Sequence, residues 1–355
     1  MTISQVDELW GAIINAYVHP QAKLPLSNKL MFKDIAKNLG YRVPETYKVI
    51  RSPAEINDFI TDIESVPDSF VVKGCTGDSG QTVKVIARQE GSAKPTHRRF
   101  ITEGGTTMYW YDAPSLQSHM LDIHSGKFSP FVQVYQTPDG AISQEVPWKD
   151  IVYVEEKLQS HPDMTKYLEC GVADLRLTYW KLCPIHARLR LSTKEGDGRS
   201  NISLNRPTPN INMDGITTSD GILGENDFTF NGHNTLGITI PEFEECLTIG
   251  AEICHALQIN TVNVDIALAR NGPTLLEAHG GTAEWAGKVD VMKILGRIMD
   301  IEDNVKEIKD VETGLALGKR VYNNNRQVTL EEVAEKLLGR KEECEKDAPD
   351  ASMED

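Results

Sequence analysis

From Thr261 to His279 apolar and polar residues alternate in two runs. Val262, Val264, Ile266 and Leu268 mark the first, Leu276 and Ala278 the second, with a break at Asn271-Gly272. Period two predicts paired strands, and Asn-Gly between them predicts a hairpin. A three-residue loop, Arg270-Asn271-Gly272 with Gly272 left-handed, would pair Asp265 with Glu277 and Asn263 with His279. A two-residue loop would instead set Asp265 opposite Ala278. The first register is favoured because it gathers the polar groups on one face.

Other segments read with equal directness. Residues 27–40 predict a helix capped by Ser27 and ended by Gly40, and 41–50 a strand entered through Pro44. Ser52, Pro53 and Glu55 form a helix start for 52–63. Residues 69–87 read as strand, glycine-rich turn, strand; 88–147 as irregular with a short helix near 115–124; and 150–158 as a strand. Residues 174–193 read as two strands turning at Cys183-Pro184. Residues 241–258 have the 3.6 period of an amphipathic helix, and a Thr329/Glu332 capping box opens another over 329–339. The acidic end, "EKDAPDASMED", has the composition of a disordered tail. Helices mixed with hairpin-like strand pairs make the fold α+β.

Size and charge narrow the function. A chain of 355 residues fills two packed units or one multilayer domain. Its net charge of −15 argues against nucleic acid as a partner, since phosphate backbones need a basic face. The start "MTISQVDELW" lacks a signal-peptide core, and no apolar run is long enough for membrane insertion. Six scattered cysteines without CxxC spacing suit free thiols in a reducing, cytoplasmic setting.

Four stretches carry chemistry. Asp265 and Glu277 across a strand pair repel, by about 0.2–1 kcal/mol, unless a divalent cation lies between them; hard oxygen ligands favour magnesium or manganese. Taken alone, such a pair is also what a solvated polar face looks like. "VVKGCTGDSGQTV" (71–83) puts Lys73 on an apolar strand before glycines whose amides can approach phosphate, though a plain hairpin reads the same way. It is not a Walker loop or a dinucleotide fingerprint, because a strand follows. "VYVEEKL" (152–158) is an apolar strand where Glu155, Glu156 or the backbone between them could accept from an adenine amino group, with Leu158 packing on the base. Arg188 and Arg190 lead into Arg199-Ser200-Asn201, offering guanidinium forks for phosphate and an amide oxygen for a cation; singly, each arginine is equally a surface ion pair.

The order of these motifs resembles the ATP-grasp superfamily. "KEGDGRSN" (194–201) and "VDI…GPTLLE" (264–277) are similar to its RimK-like branch, the α-L-glutamate ligase relatives, and the likeness runs from about residue 27 to 285. It implies an ATP-grasp fold of two α+β subdomains clasping ATP, with a truncated N-terminal domain and a C-terminal helical extension. The expected limits are 1–68 for the reduced N-terminal region, 69–158 for the small subdomain, 159–298 for the large one with the metal site, and 299–355 for the extension and tail. Residue by residue, the resemblance implies nucleotide contacts from Lys29 (with Lys33 as the alternative), Lys73, Gly77, Ser79, Gly80, Glu155, Glu156 and Leu158. Asp174 falls at the ribose. Lys73, Arg188, Arg190 and Arg199 serve the transferred phosphoryl group, and Asp265, Glu277, His279 and Asn201 bind Mg2+ or Mn2+. The implied activity is an ATP-dependent carboxylate–amine ligation through an acylphosphate, in peptide, natural-product or cell-envelope biosynthesis. A small-molecule kinase and a nucleotide-binding regulatory subunit are the alternatives.

Three departures stand out. His279 occupies the place of the family's third metal ligand, usually asparagine, and imidazole suits manganese or zinc better than magnesium. Thr82 stands where the RimK-like pattern has another glycine. Only 26 residues precede "SNKL", so the acceptor site would come from residues 88–147, from the C-terminal helices, or from another copy or partner chain.

Overall fold

The alternating segments become the strands of two antiparallel sheets in a computed structural model of the chain. It describes residues 9, 12–13, 26–76, 82–88, 100–102, 110–111, 113–128, 131–137, 140–146, 150–194, 198, 208–218, 229–280, 288–324 and 326–346. The first sheet contains β1 (Thr46–Ile50), β2 (Ser69–Gly74), β3 (Lys84–Arg88), β4 (Phe100–Thr102) and β5 (Trp110–Tyr111), with β8 (Val152–Glu156) inserted between β1 and β2. A separate hairpin, β6 (Phe131–Thr137) with β7 (Gly140–Val146), precedes β8. The second sheet contains β9 (Asp174–Trp180), β10 (Cys183–Arg190), β11 (Asn210–Ile211) and β12 (Thr217–Thr218). After the small hairpin β13 (Thr229–Phe230) and β14 (His233–Asn234), it is completed by β15 (Thr261–Ala269) and β16 (Gly272–His279), in the order β12-β11-β10-β9-β15-β16.

Helices cover these sheets. The first, α1 (Lys29–Asn38), is capped by Asn28 rather than Ser27: the Asn28 Oδ1 accepts from the Met31 amide at 3.0 Å. The same oxygen accepts from the Cys75 thiol, and the Lys29 amide reaches the Cys75 carbonyl at 3.0 Å, so the helix start is tied to the end of β2. Helices α2 (Pro53–Thr61), with Ser52 as its cap, and α3 (Ala113–His124) close one side of the first sheet. Ile56, Phe59, Leu116 and Met120 pack there on Phe70, Val72 and Val154. Each such buried side chain contributes about 1.5–3 kcal/mol.

A one-turn helix, α4 (Pro162–Thr165), follows β8, and α5 (Phe243–Ala256) packs on the second sheet. Leu175, Leu177, Tyr179, Leu189, Val262, Val264 and Ile266 form the aliphatic face that meets it. Gly250 lies so close to Tyr179 that a Cβ there would fall 2.5 Å from the tyrosine oxygen, and that hydroxyl donates to the Leu247 carbonyl at 2.8 Å. Helices α6 (Lys288–Asp303), α7 (Val311–Tyr322) and α8 (Leu330–Lys346) pack with Trp180, Cys183 and Ile185 at the other end of the same sheet. The Thr329/Glu332 capping box forms as expected. No helix among the described residues is long and apolar enough to cross a membrane.

Two turns differ from the expectation. The β9–β10 turn is Lys181-Leu182, both at positive φ, and Cys183 already pairs with Trp180. Two-residue hairpins need that backbone hand, here adopted by non-glycine residues, with Leu182 so close to Gly314 that a Cβ there would fall 2.7 Å from the Leu182 Cβ. The β15–β16 loop is also two residues long, Arg270-Asn271, with Ala269 opposite Gly272. A bulge then inserts one residue on β16 and restores the expected pairs, Asp265 with Glu277 and Asn263 with His279. Gly272 has φ +102°, as its place beside the turn requires.

Candidate functional site

The second sheet keeps every costly residue on the face turned away from α5. In register, Asp174 neighbours Arg190, Arg176 lies between Arg188 and Asp265, and Thr178 lies between His186 and Asn263. Asp265 and Asn263 in turn face Glu277 and His279. Polar side chains in three rows therefore line this face, two of the rows crossing four strands, β10, β9, β15 and β16. Buried ionisable groups are tolerated only when paired, and these are.

Asp265 is the most heavily engaged. Arg176 grips it bidentately, Nε to Oδ1 and Nη2 to Oδ2, both at 2.8 Å, and Arg190 adds Nη2 to Oδ2 at 2.7 Å. His279 Nε2 is 3.8 Å from Oδ2 and 3.0 Å from Glu277 Oε1. Burial alone would raise the Asp265 carboxyl, but Arg176 and Arg190 outweigh it and hold it well below the usual range. Glu277 is likewise lowered, burial being overcome by His279 and Lys29. Burial opposes the charged imidazole too, yet Glu277 and Asp265 raise His279 to about 9.

One ligand atom from each of Asp265, Glu277 and His279 lies within 4.8 Å of the others. This set suits a divalent cation. Three guanidinium N–H groups occupy three of the roughly four acceptor positions on the Asp265 carboxylate, which leaves one on Oδ1. Glu277 and the imidazole complete a mixed oxygen–nitrogen set, and the His279 proton must leave first.

The first sheet supplies the opposite wall. The two sheets enclose a solvent-open cleft of about 950 Å³ counted to its mouth. Lys29 and Lys73 line it with Val71, Val85, Leu158 and Leu276. Lys29 Nζ lies 3.6 Å from Glu277 Oε2, bridging α1 to β16. Leu158 packs with Ala267, Ala269, Val172 and Leu276, an apolar slot at the end of β8. Thus the strand that precedes the glycine-rich loop and the acid-bearing hairpin open onto one cleft.

Several expected roles change. Glu155 lines the cleft, but its carboxylate is engaged by two lysines. It is buried between Lys33 at 2.8 Å and Lys73 at 2.5 Å, because β8 is the central strand between β1 and β2 and directs this side chain at both lysines. Burial would raise Glu155, but Lys73 and Lys33 outweigh it and lower it. Glu156 accepts from Arg42 at 2.9 Å and from the Glu45 amide at 3.1 Å. Glu155, Glu156, Lys157 and Leu158 all line the cleft at this edge. Lys33, the alternative to Lys29, is 2 % exposed and does not line the cleft. Asp174 lines it, but its two oxygens accept from Arg190 at 2.5 and 2.8 Å, so the carboxylate is an ion-pair partner before it is a ribose acceptor. Arg190 lines the cleft, whereas Arg188, two residues back along β10, does not and donates to Asn210 Oδ1 at 3.2 Å. Gly77, Ser79, Gly80, Arg199 and Asn201 lie outside the described residues.

Two residues were missed. Arg176 sits in "DLRL", and only the register with Asp265 shows its role. Asp150, 2 % exposed, accepts from the amides of Thr76 at 3.1 Å and Ile151 at 2.8 Å and so anchors the start of the glycine-rich loop. A Cβ on Gly74 would come 2.5 Å from its Oδ2. Burial raises the Asp150 carboxyl, with the Thr76 amide opposing.

A family model described as sugar-transfer associated ATP-grasp matches residues 12–283. A search of curated proteins gave no match. Among solved structures the chain is similar to the ATP-grasp ligase PsnB complexed with minimal precursor, Mg and ADP, at 9% identity over 76% of this chain and 54% of that one, TM-score 0.36. It is also similar to a RimK domain ATP-grasp protein from Sphaerobacter thermophilus, at 13% identity over 75% and 64%, TM-score 0.36. A third is D-alanine–D-alanine ligase from Bacillus anthracis complexed with ATP, at 10% identity over 92% and 71%, TM-score 0.43. The chain spans about half the length of the first of these.

Proposed function

The chain belongs to the sugar-transfer associated ATP-grasp family, and from that premise we propose that it binds ATP with a divalent metal in the cleft between its sheets and uses it to join a carboxylate to an amine. One observation carries this reading. Asp265, Glu277 and His279 converge within 4.8 Å, and Asp265 and Glu277 line a cleft that Lys29 and Lys73 also line. When bound there, Mg2+ or Mn2+ supplies charge neutralisation for the triphosphate. The protein's own part is positioning. Val71, Val85, Leu158 and Leu276 supply the apolar lining for the base, beside Lys157. Lys29 and Lys73 balance phosphate charge, and Arg176 and Arg190 hold Asp265 in place.

In the reaction, an oxygen of the substrate carboxylate attacks the γ-phosphorus, the β–γ bridge breaks, and ADP leaves. The amine nitrogen then attacks the acyl carbon, inorganic phosphate departs, and the nitrogen loses a proton. No side-chain nucleophile is needed. The family description directs the substrate search to acids and amines carried on sugars.

The test is hydroxylamine trapping. The protein, ATP, Mg2+ or Mn2+ and a pool of sugar acids and amino acids should yield a hydroxamate and ADP in equal amounts, and Asp265→Asn and Glu277→Gln should abolish both while the fold persists. Full activity in both variants refutes the metal assignment. The double guanidinium grip on Asp265 favours a second reading, nucleotide binding without turnover, which predicts analogue binding but no hydroxamate with either metal.

A further inference from the structure

Three successive residues, Glu169, Cys170 and Gly171, each hold one point on the chain that leaves β10. The Glu169 Oε2 accepts from the Lys194 amide at 2.8 Å, and the Cys170 carbonyl accepts from the Ser192 hydroxyl. Gly171 lies so close to Gly198 that a Cβ on it would fall 3.0 Å from the Gly198 Cα and nearer still to its carbonyl oxygen. Both glycines have positive φ, +70° and +76°, a conformation that suits no other residue as well. The Gly198 amide donates to the Thr193 carbonyl at 3.1 Å, which ties Gly198 back to the same stretch. Segments 22 to 25 positions apart are thereby fastened together.

These contacts lie at the cleft between the sheets. Gly171 and Gly198 both line it, as do Asp174 and Arg190. With no side chain on either glycine, a ligand meets main chain on this part of the wall. Val172, the next residue, packs with Leu158 and Leu276 in the apolar slot. One short segment therefore joins that slot to Gly198. Glu169 is exposed, whereas Ser192 and Gly198 are buried. An exposed carboxylate gives up side-chain freedom to hold a single main-chain amide, and what it gains is a fixed place for Lys194 and the chain around it. We propose that Glu169–Gly171 is a clip that positions the Gly198 part of the cleft wall against a bound nucleoside triphosphate, with Glu169 and Gly171 as positioning residues, a proposal that rests on the nucleotide reading above. The clip orders the wall before the ligand arrives, so binding does not bear that entropy. Without the Glu169 carboxylate the Lys194 amide loses its tether, and with a Cβ on Gly171 the Gly198 backbone must shift off the wall.

The test compares Glu169→Ala, Glu169→Gln and Gly171→Ala in the full chain, by calorimetric titration with a non-hydrolysable ATP analogue and Mg2+ and by amide hydrogen exchange. Glu169→Ala should weaken analogue binding about tenfold, as misplaced binding groups do. Its melting temperature should stay within about 2 °C of wild type, because exposed substitutions cost little stability. The Lys194 and Gly198 amides should exchange faster in the same variant. Glu169→Gln keeps an amide oxygen for the Lys194 N–H and should restore both affinity and protection. Gly171→Ala should weaken the analogue at least as much as Glu169→Ala. Unchanged analogue affinity in Glu169→Ala, or equal losses in Glu169→Ala and Glu169→Gln, overturns the proposal. So does exchange at Lys194 and Gly198 that is the same in wild type and Glu169→Ala. Should the analogue fail to bind the wild-type chain, the nucleotide reading falls and the positioning role with it, whereas exchange still decides whether the tether itself exists.

Discussion

Replacing Glu155 by glutamine removes one negative charge between the buried Lys33 and the half-buried Lys73 ammonium groups and changes little else. The carboxylate lies 2.8 Å from Lys33 Nζ and 2.5 Å from Lys73 Nζ. At an effective dielectric of about 20, each contact is worth about 6 kcal/mol before desolvation. Desolvation cancels much of that gain in the intact cluster. Breaking the cluster from one side costs about 3–5 kcal/mol, since the lysines stay buried. Burial already lowers Lys33, with Glu155 opposing, so removing Glu155 should lower it further. For Lys73 burial also lowers the ammonium, but Glu155 outweighs it, and this support would go too. Urea unfolding at pH 7 is the assay, because urea leaves the charges unscreened. Glu155→Gln should lose about 3–5 kcal/mol, and adding Lys33→Met should recover at least about 2 kcal/mol, since no unpaired ammonium then remains at that position. The sign with pH follows from the lowered Glu155 carboxyl. Its contribution is present above about 4.5 and lost as pH falls through the folded value, so wild type and variant should converge in acid. A loss under about 1 kcal/mol, or a double variant no better than the sum of the single ones, refutes the account.

Metal uptake should depend on pH. His279, raised to about 9, carries a proton at neutrality that a metal ion must displace. Mn2+ affinity should therefore rise from pH 7 to 9 with release of about one proton, measured by titration in buffers of different ionisation enthalpy, and His279→Asn should flatten that dependence. Without metal the sign is opposite for stability: the His279 contribution is full below about 6.5 and fades as pH approaches 9, which a pH series of thermal melts checks. Asp150→Ala should weaken ATP-analogue binding by releasing the Thr76 and Ile151 amides, and unchanged affinity in calorimetry would remove its anchoring role. Gly250→Ala should cost about 1–3 kcal/mol in urea unfolding by driving α5 off Tyr179.

The resemblance to ATP-grasp proteins, read from Lys73, the glycine-rich turn, "KEGDGRSN" and the Asp265…Glu277 spacing, agrees with the family match over residues 12–283. The α+β class was equally legible, because alternation and capping are local properties of neighbouring residues. The Ser52 cap, the Thr329/Glu332 box and the pairing of Asp265 with Glu277 all follow from residues close in sequence.

What the amino-acid order determined by itself was which strands exist and which of their faces is polar. The tertiary structure decided who pairs with whom on that face. Arg176 gained its partner only when β9 came to lie beside β15, 89 positions along the chain. Glu155, on the cleft wall, also became a counter-ion of Lys33, 122 positions away along the chain, once β8 was inserted between β1 and β2. Arg188 and Arg190 share a face in any strand, yet only the tertiary packing set Arg190 on the cleft between the sheets and Arg188 against Asn210 of β11. Hydrophobic period is a one-dimensional signal, whereas charge compensation is set by distance in space, and sheet order creates those distances.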